Sequence, residues 1–417
     1  MRDQMEELFR VALGLAEPWV VGKIEFSEEN HQLDLWLDFL AGSRFACPQC
    51  GRDDCGVYDS TERTWRHLNF FQHKTFLHAR QPRITCPDHG VKTVAVPWAR
   101  RGASFTLLME AFVLLLVQGG MTPTGAGRLI DEHDTRLWRV LQHYVEKARS
   151  EADFSEVTAI GVDETSRRRG HNYLTVFMDL EEDRRRVLFA TEGKDASTVQ
   201  RFREDLEAHG GRAEQVKEAC LDMSAAFIRG LEDQFPEAKR TFDNFHLMQL
   251  LTSAVDKVRR EEQKTRPELK KTRFLWLKNE WNWTAKQAET FDALRKSKLA
   301  TVKAMQIKSV FQDLFALDTA EEAEPWLRRW YFWATHSRID PIIQAAKTIR
   351  EHWDGVLRWF TSRISNGVVE AINGLIQSAK ARARGFASTR YLITMVYLTA
   401  GKLDFKLPAA SCATHTK

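Results

Sequence analysis

The stretch Ala159-Ile160-Gly161-Val162-Asp163-Glu164 decides how this chain is read. A short apolar run leads into a carboxylate, and the flanking pattern predicts a buried strand over residues 156–163. A carboxylate at the end of a buried strand loses water and needs a partner. Two further stretches offer one. Ala219-Cys220-Leu221-Asp222-Met223-Ser224 repeats the pattern of an apolar run ending in an acid. Glu370, in Ser365-Asn366-Gly367-Val368-Val369-Glu370-Ala371-Ile372-Asn373, sits on a helical pattern near the C-terminus. Three converging carboxylates repel one another and favour a divalent cation. Phosphoryl-transfer chemistry uses such sites, with hard cations held by oxygen ligands.

Strands are expected at 173–180 and 185–191, joined by the polar turn Glu181-Glu182-Asp183-Arg184. A helix follows at 196–209, a strand at 216–223, a helix at 225–235 and a strand at 238–243. This is a mixed α/β sheet, whose first and fourth strands would lie side by side and bring Asp163 near Asp222. The interval from Asp222 to Glu370 far exceeds one helix. Residues 247–360 therefore read as an all-helical insertion, rich in Trp and in Lys/Arg. Its tryptophans (Trp276, Trp281, Trp283, Trp326, Trp330, Trp333) fall at helical spacing, which favours core over base stacking. On the Glu370 helix, Val369, Ile372 and Ile376 form an apolar stripe. Asn366, Glu370, Asn373 and Gln377 form a separate polar face.

Upstream, Cys47-Pro48-Gln49-Cys50-Gly51 and Cys86-Pro87-Asp88-His89-Gly90 are two metal-ligand pairs with two-residue gaps. They suit a tetrahedral structural Zn2+ held by Cys47, Cys50, Cys86 and His89. Cys55 is the main competitor, and His67, His73 or His78 are substitutes. The segments before and between the pairs alternate, predicting a small antiparallel sheet and a ribbon. From Ser104 to Ala148 the pattern turns helical. Gly119-Gly120 breaks a first helix, and Thr122 with Pro123 starts a second as N-cap and first helical residue. A third helix over about 135–147 carries Arg136, Arg139, His143 and Lys147. This is a helix-turn-helix, and Arg136, Arg139 and His143 are its candidate DNA contacts. Arg167, Arg168 and Arg169 follow the first acidic strand, and Lys380, Arg382 and Arg384 continue the Glu370 helix; both groups suit backbone phosphates. The mixed-sign stretch Lys257–Arg273 reads mainly as a solvated helix.

With these motifs in hand, the chain resembles the ISL-three group of bacterial insertion-sequence transposases with an aspartate–aspartate–glutamate site. The resemblance rests on Gly161-Val162-Asp163-Glu164, Leu221-Asp222-Met223-Ser224, Asp243-Asn244-Phe245-His246, the Glu370 stretch, Arg382-Ala383-Arg384-Gly385-Phe386 and the paired zinc motif. It covers nearly the whole chain. It implies a ribonuclease-H-like fold with a helical insertion before the glutamate, and it maps Asp163, Asp222 and Glu370 to a triad holding two Mg2+ ions, with Mn2+ as a substitute. Asp243 and His246 match an accessory motif; His246 reads equally as a contact to the scissile phosphate or as a helix cap.

The expected division is 1–98 for N-terminal strands and zinc ribbon, 99–152 for the helix-turn-helix, 153–246 for the first part of the catalytic core, 247–360 for the insertion, 361–405 for the C-terminal helices and 406–417 for a tail. The expected activity is metal-dependent strand cleavage and strand transfer at terminal inverted repeats. The expected partners are double-stranded DNA, as transposon ends and target, and a second copy of the chain on DNA. A structure-specific nuclease and a non-catalytic DNA-binding regulator are the competing classes. The net charge of +4 does not by itself announce a nucleic-acid binder. No apolar run reaches the ~18 residues of a membrane span. The N-terminus lacks a signal-peptide pattern, so a cytoplasmic location is expected. In that compartment, six cysteines favour thiols or metal over disulfides. Cys220 reads as core and Cys412 as incidental.

Overall fold

The computed structural model describes residues 2–166, 173–242, 244–362, 364 and 367–407. Arg167, Arg168, Arg169 and Asp243, and also Asn366 and Cys412, lie outside the described residues. The chain divides into two compact units, residues 1–148 with 404–417, and residues 149–403.

In the first unit, α1 (Arg2–Ala12) precedes β1 (Trp19–Ser27), β2 (Gln32–Phe39), β3 (Arg44–Phe45), β4 (Cys55–Phe70), β5 (His73–Cys86) and β6 (Gly90–Thr93). Among the described residues these strands form one six-stranded sheet in the order β1-β2-β5-β4-β3, with β6 on β5. The expectation of a separate antiparallel sheet is corrected here. β1 and β2 are antiparallel, but β2 joins the ribbon strand β5 in parallel, Gln32 opposite Lys74. The cause is shared burial: Leu33, Leu35 and Leu37 of β2 and Leu77 and Ala79 of β5 enter one core with Trp19, Trp65 and Trp98. No hairpin links β2 to β5, so no turn forces them antiparallel.

α2 (Leu107–Gln118), α3 (Pro123–Ile130) and α4 (Asp134–Ser150) follow. Thr106 caps α2, and Thr122 caps α3 by accepting from the Gly125 amide at 3.0 Å, with Pro123 in the first turn. Gly127 lets the α3–α4 turn close, since a Cβ there would lie 2.6 Å from the Glu132 carbonyl oxygen. The charged groups inside this unit are paired. Buried Glu110 receives Arg100 Nε at 2.9 Å and the Tyr144 hydroxyl at 3.2 Å, and buried Arg66 meets Glu132 at 3.4 Å.

The second unit holds β7 (Ala159–Ser166), β8 (Tyr173–Asp179), β9 (Arg186–Glu192), α5 (Ala196–Ala208), β10 (Glu218–Leu221), α6 (Ala225–Gln234) and β11 (Lys239–Phe242). Among the described residues the sheet order is β11-β10-β7-β8-β9. β8 is antiparallel to β7 and β9, while β10 is parallel to β7 and β11. A three-strand meander extended by two parallel strands on the far side of the first is the ribonuclease-H-like arrangement. Its core collects Val162, Phe177, Phe202, Leu221, Phe227 and Phe242, among others.

Several strand boundaries differ from expectation, and β10 ends at Leu221 rather than at 223, which leaves Asp222 just past the strand. β7 begins at Ala159 rather than at 156 and runs on to Ser166, so Asp163 lies inside the strand, opposite Val176 of β8. The apolar run ends at Val162, but backbone pairing with β8 carries the strand past it. A polarity pattern cannot register that pairing.

The helical block comprises α7 (Asn244–Glu262), α8 (Arg273–Leu277), α9 (Ala285–Arg295), α10 (Ala300–Asp313), α11 (Ala320–Thr335), α12 (Asp340–Glu351) and α13 (Trp353–Ser362). Trp276 and Trp330 are buried in its core, while Trp283, Trp326 and Trp333 pack partly against it. Trp281 is 70% exposed. The stretch expected to be a solvated helix is not one throughout: α7 ends at Glu262, and Val258, Arg259 and Leu269 are buried, Arg259 against Asp256 at 2.8 Å. α14 (Gly367–Arg382) and α15 (Thr389–Ala400) return to the sheet, α15 anchored by the Ala190 amide donating to the Tyr397 hydroxyl at 3.1 Å. No helix among the described residues is long and apolar enough to cross a membrane.

Candidate active site and metal centre

β7 and β10 are parallel neighbours with Cys220 opposite Gly161. Continuing that register two residues sets Asp222, just past the end of β10, level with Asp163. Burial pushes the Asp163 carboxyl above the usual carboxylate range, and the Asp222 charge adds to the rise. The Glu164 amide, His246 and Asn373 oppose it. Backbone amides fix both acids: Glu164 N donates to Asp163 Oδ1 at 2.7 Å, and Ser224 N to Asp222 Oδ1 at 2.9 Å.

α14 lies along β7 in the same direction. Asn373 Nδ2 donates to Asp163 Oδ2, Gln377 Nε2 to Thr165 Oγ1, and Lys380 Nζ to the Ser166 carbonyl. The apolar stripe Val369, Ile372 and Ile376 is buried. Gly161 is what allows this approach, because a Cβ there would stand 2.8 Å from Val369 Cγ2 and 2.9 Å from Leu180 Cδ2. Glu370 is exposed in the first turn of α14, three residues before Asn373 and so on the same helix face. It also lines a cavity of about 790 Å³ between α14 and the helical block.

The structure thus brings Asp163 and Asp222 to neighbouring strands and places Glu370 one helical turn from the residue that holds Asp163. It does not gather the three into a tight cluster. Among the described residues, the one group of three or more His, Cys, Asp or Glu ligand atoms within 4.8 Å of one another is Cys47, Cys50, Cys86 and His89. Glu164 went unremarked in the sequence. Burial raises its carboxyl above the usual range, Asp222 and Asp163 raise it further, and Lys194 opposes them. Its only signal was adjacency to Asp163. His246 is half-buried in the first turn of α7, close enough for its charge to act on Asp163.

At the ribbon, Cys50 Sγ lies 3.8 Å from Cys86 Sγ, and His89 Nδ1 lies 3.9 Å from Cys47 Sγ and 3.6 Å from Cys86 Sγ. A tetrahedron with Zn–S bonds of ~2.3 Å has edges of about 3.8 Å, so the spacing fits Zn2+. Backbone amides of Cys50 and Gln49 hold the Cys47 thiol down to about 6, the state a metal ligand needs. The competitors are otherwise engaged. Cys55 Sγ turns to the Arg52 carbonyl at 3.5 Å, His67 to the Thr106 hydroxyl at 2.8 Å, and His78 to Asp34 at 2.6 Å, while His73 stands edge-on to Phe26.

On α4 the candidate DNA contacts separate. Arg136 is committed within the protein, bonded to Glu132 and to Ser104 Oγ at 3.0 Å, with its guanidinium 4.2 Å over Phe105. Arg139 is exposed and has no ion pair among the described residues. His143 is half-buried, and burial, then Arg100 and Lys147, lower its pKa. Lys380 is tied to the Ser166 carbonyl, while Arg382 and Arg384 are exposed at the end of α14.

A ribonuclease-H-like sheet with paired acids on its central strands, together with a Cys3His ribbon and a helix-turn-helix, defines a DNA-processing enzyme. Comparison with known proteins makes this specific. A family model described as a transposase (DDE, ISL3) matches residues 160–396. Residues 43–89 match the zinc-finger of the IS204/IS1001/IS1096/IS1165 transposases, and residues 94–145 match the helix-turn-helix domain of transposase family ISL3. The chain is 28% identical to the transposase for insertion sequence element IS1557 of Mycobacterium tuberculosis, over 94% of this chain and 95% of that one. It is 25% identical to the transposase for IS1001 of Bordetella parapertussis, over 92% and 96%. The chain belongs to the ISL3 transposase family: it is a DNA-binding transposition enzyme with a zinc ribbon.

Proposed function

We propose that Asp163, Asp222 and Glu370 are the catalytic carboxylates of metal-dependent phosphodiester cleavage and strand transfer at the terminal inverted repeats of the element. The observation that carries this reading is the position of Asp163. It is held by Asn373, which lies one helical turn from Glu370, and its carboxyl is pushed up by burial beside Asp222. The donor set fits hard divalent cations. All three groups offer oxygen, the paired acids lie in partial burial where a counter-charge relieves their repulsion, and buried Asn373 Oδ1 has no hydrogen-bond partner among the described residues.

Two Mg2+ ions, with Mn2+ as a substitute, supply charge stabilisation for the attacking and leaving oxygens when bound. The chain's own residues do the rest. Glu164 N and Asn373 Nδ2 fix both oxygens of Asp163, so the carboxylate would hold a divalent cation without reorganising. The Ser224 amide does the same for Asp222. His246 presents an imidazole on the same side as Asp163, suited to a hydrogen bond to the scissile phosphate. Arg139 of α4 supplies a phosphate or base contact outside the catalytic unit, and Arg382 and Arg384 add phosphate contacts near it.

The test is a pair of variants, Asp222→Asn and Glu370→Gln, assayed on duplexes carrying the element's own ends. Binding should stay within about two-fold of wild type, while cleavage should fall by at least ~1,000-fold. Wild-type cleavage rates in either variant remove the assignment. A structure-specific nuclease would cut without joining ends to target DNA, so a strand-transfer assay on the same samples separates that reading.

A further inference from the structure

The cavity beside Glu370 is not explained by the three carboxylates. It holds about 790 Å³, within the range of small-molecule sites, and one wall is a face of α7 running from Asn244 to Arg260. Facing walls come from Arg273, Leu277 and Asn279 around α8, and from Gln312 and Phe315 at the end of α10. The lining is polar and open to solvent. Asn244, Gln249, Thr252 and Gln312 line this half-open space with no side-chain hydrogen bond among the described residues; Gln249 is exposed and the other three are half-buried. Phe245 is 53% exposed at the end nearest the catalytic strands. Arg273 has no ion pair among the described residues, and Arg260 is held by Asp256 at 3.2 Å.

Several amides with donors and acceptors free, an exposed aromatic ring and two guanidinium groups together match the parts of a nucleotide. Amides read base edges, a ring stacks on a base face, and arginine takes a phosphate. Glu370 forms part of the rim, so whatever enters the cavity is continuous with the DNA strand at the proposed catalytic site.

We propose that this cavity receives an unpaired nucleotide of the DNA strand adjoining the cleaved bond, its base against Phe245 and the amides of Gln249 and Gln312, its phosphate toward Arg273. This deepens the proposed function and rests on that placement of Glu370. The buried tryptophans do not serve this role: Trp276 and Trp330 fill the core of the helical block, and exposed Trp281 does not line the cavity. The helical insertion thus opens the duplex beside the bond that is cut. Unpairing opposes the reaction by a few kcal/mol, and the cavity offsets that cost.

The experiment uses the full-length chain with Phe245→Ala and Gln249→Ala, each on an exposed position of α7. The substrates are the element's ends, fully paired or with a two-base-pair mismatch stepped across the cleavage site. On paired ends each variant should cleave about ten-fold more slowly than wild type, at equal DNA affinity and equal melting temperature. A mismatch at one location should restore both variants to within about two-fold of wild type on that substrate, because pre-opened DNA no longer needs the cavity to hold the base out. Wild-type rates in both variants on paired ends overturn the proposal, as does a defect that no mismatch relieves. If wild-type protein cleaves none of the substrates, the assignment of the carboxylates fails first and this inference falls with it.

Discussion

At the residue scale, Asp163 and Asp222 were visible because each interrupts an apolar run, where a charge needs a reason. The amide contacts that fix them were half visible. The polar face of the Glu370 helix pointed to Asn373, but its bond to Asp163 depends on α14 lying along β7, which no local pattern encodes. Glu164 was hidden because a second acid in Asp-Glu looks like solvated surface. The paired acids carry a consequence for stability. Because the folded Asp163 carboxyl is raised above its unfolded value, it makes no difference below the ordinary carboxylate range and destabilises as pH rises through its folded value. Removing the Asp222 charge relieves part of that effect. In Mg2+-free buffer at pH about 7.5, with zinc retained, Asp222→Asn should therefore melt roughly 1–3 °C above wild type, and near pH 4 the two should coincide. Added Mg2+ should raise the wild-type melting temperature and leave the variant's nearly unchanged. A variant that melts lower than wild type at pH 7.5 contradicts the like-charge account.

At the element scale, periodicity and caps located most pieces, and the misses have physical causes. Thr122 and Pro123 announce α3 because both act within one turn. The parallel join of β2 to β5 could not be read, since it comes from two apolar faces meeting across a long sequence separation. Gly161 shows the same limit: it looked like an ordinary glycine in a strand, yet it sets how closely α14 approaches β7. Gly161→Ala should push Val369 and Leu180 away, costing about 1–3 kcal/mol by overpacking. Cleavage should suffer more than folding, because the same shift moves Asn373 and Glu370 relative to Asp163; denaturant unfolding alongside cleavage rates at saturating DNA checks this, and an unchanged rate with lowered stability refutes the coupling. The recognition helix offers a second contrast. Arg136→Ala should lower stability by about 1 kcal/mol, because Ser104 Oγ loses its partner and Glu132 keeps only Arg66. Arg139→Ala should leave unfolding unchanged, weaken end-DNA binding and reduce the salt slope by about one unit. Equal effects of the two substitutions on binding and on stability would erase the distinction drawn from the contacts of α4.

At the scale of the whole molecule, the order of strands and helices was legible because a meander, a crossover and a helical block leave different periodicities. The five-stranded order placed the first and fourth strands together as the chain's pattern required. What the pattern left open was the space between α14 and the helical block, since a cavity is a product of packing and has no sequence signature. Charge acts at this scale as well. With 61 basic and 57 acidic residues the chain has little long-range attraction for DNA, so affinity must come from local contacts. Each chain carries one set of Asp163, Asp222 and Glu370, whereas an element has two ends to be cut and joined. Two chains acting together would supply one set per end, and simultaneous engagement would raise the effective concentration of the second end. The cleavage-deficient Asp222→Asn chain, mixed with end duplex, should therefore sediment as a complex of two 48.2 kDa chains with two duplexes. That complex should dissociate between roughly 50 and 200 mM salt as phosphate contacts are screened. Sedimentation as one chain per duplex at every protein concentration, under conditions where wild type joins both ends, would mean that pairing of the ends does not need a second copy.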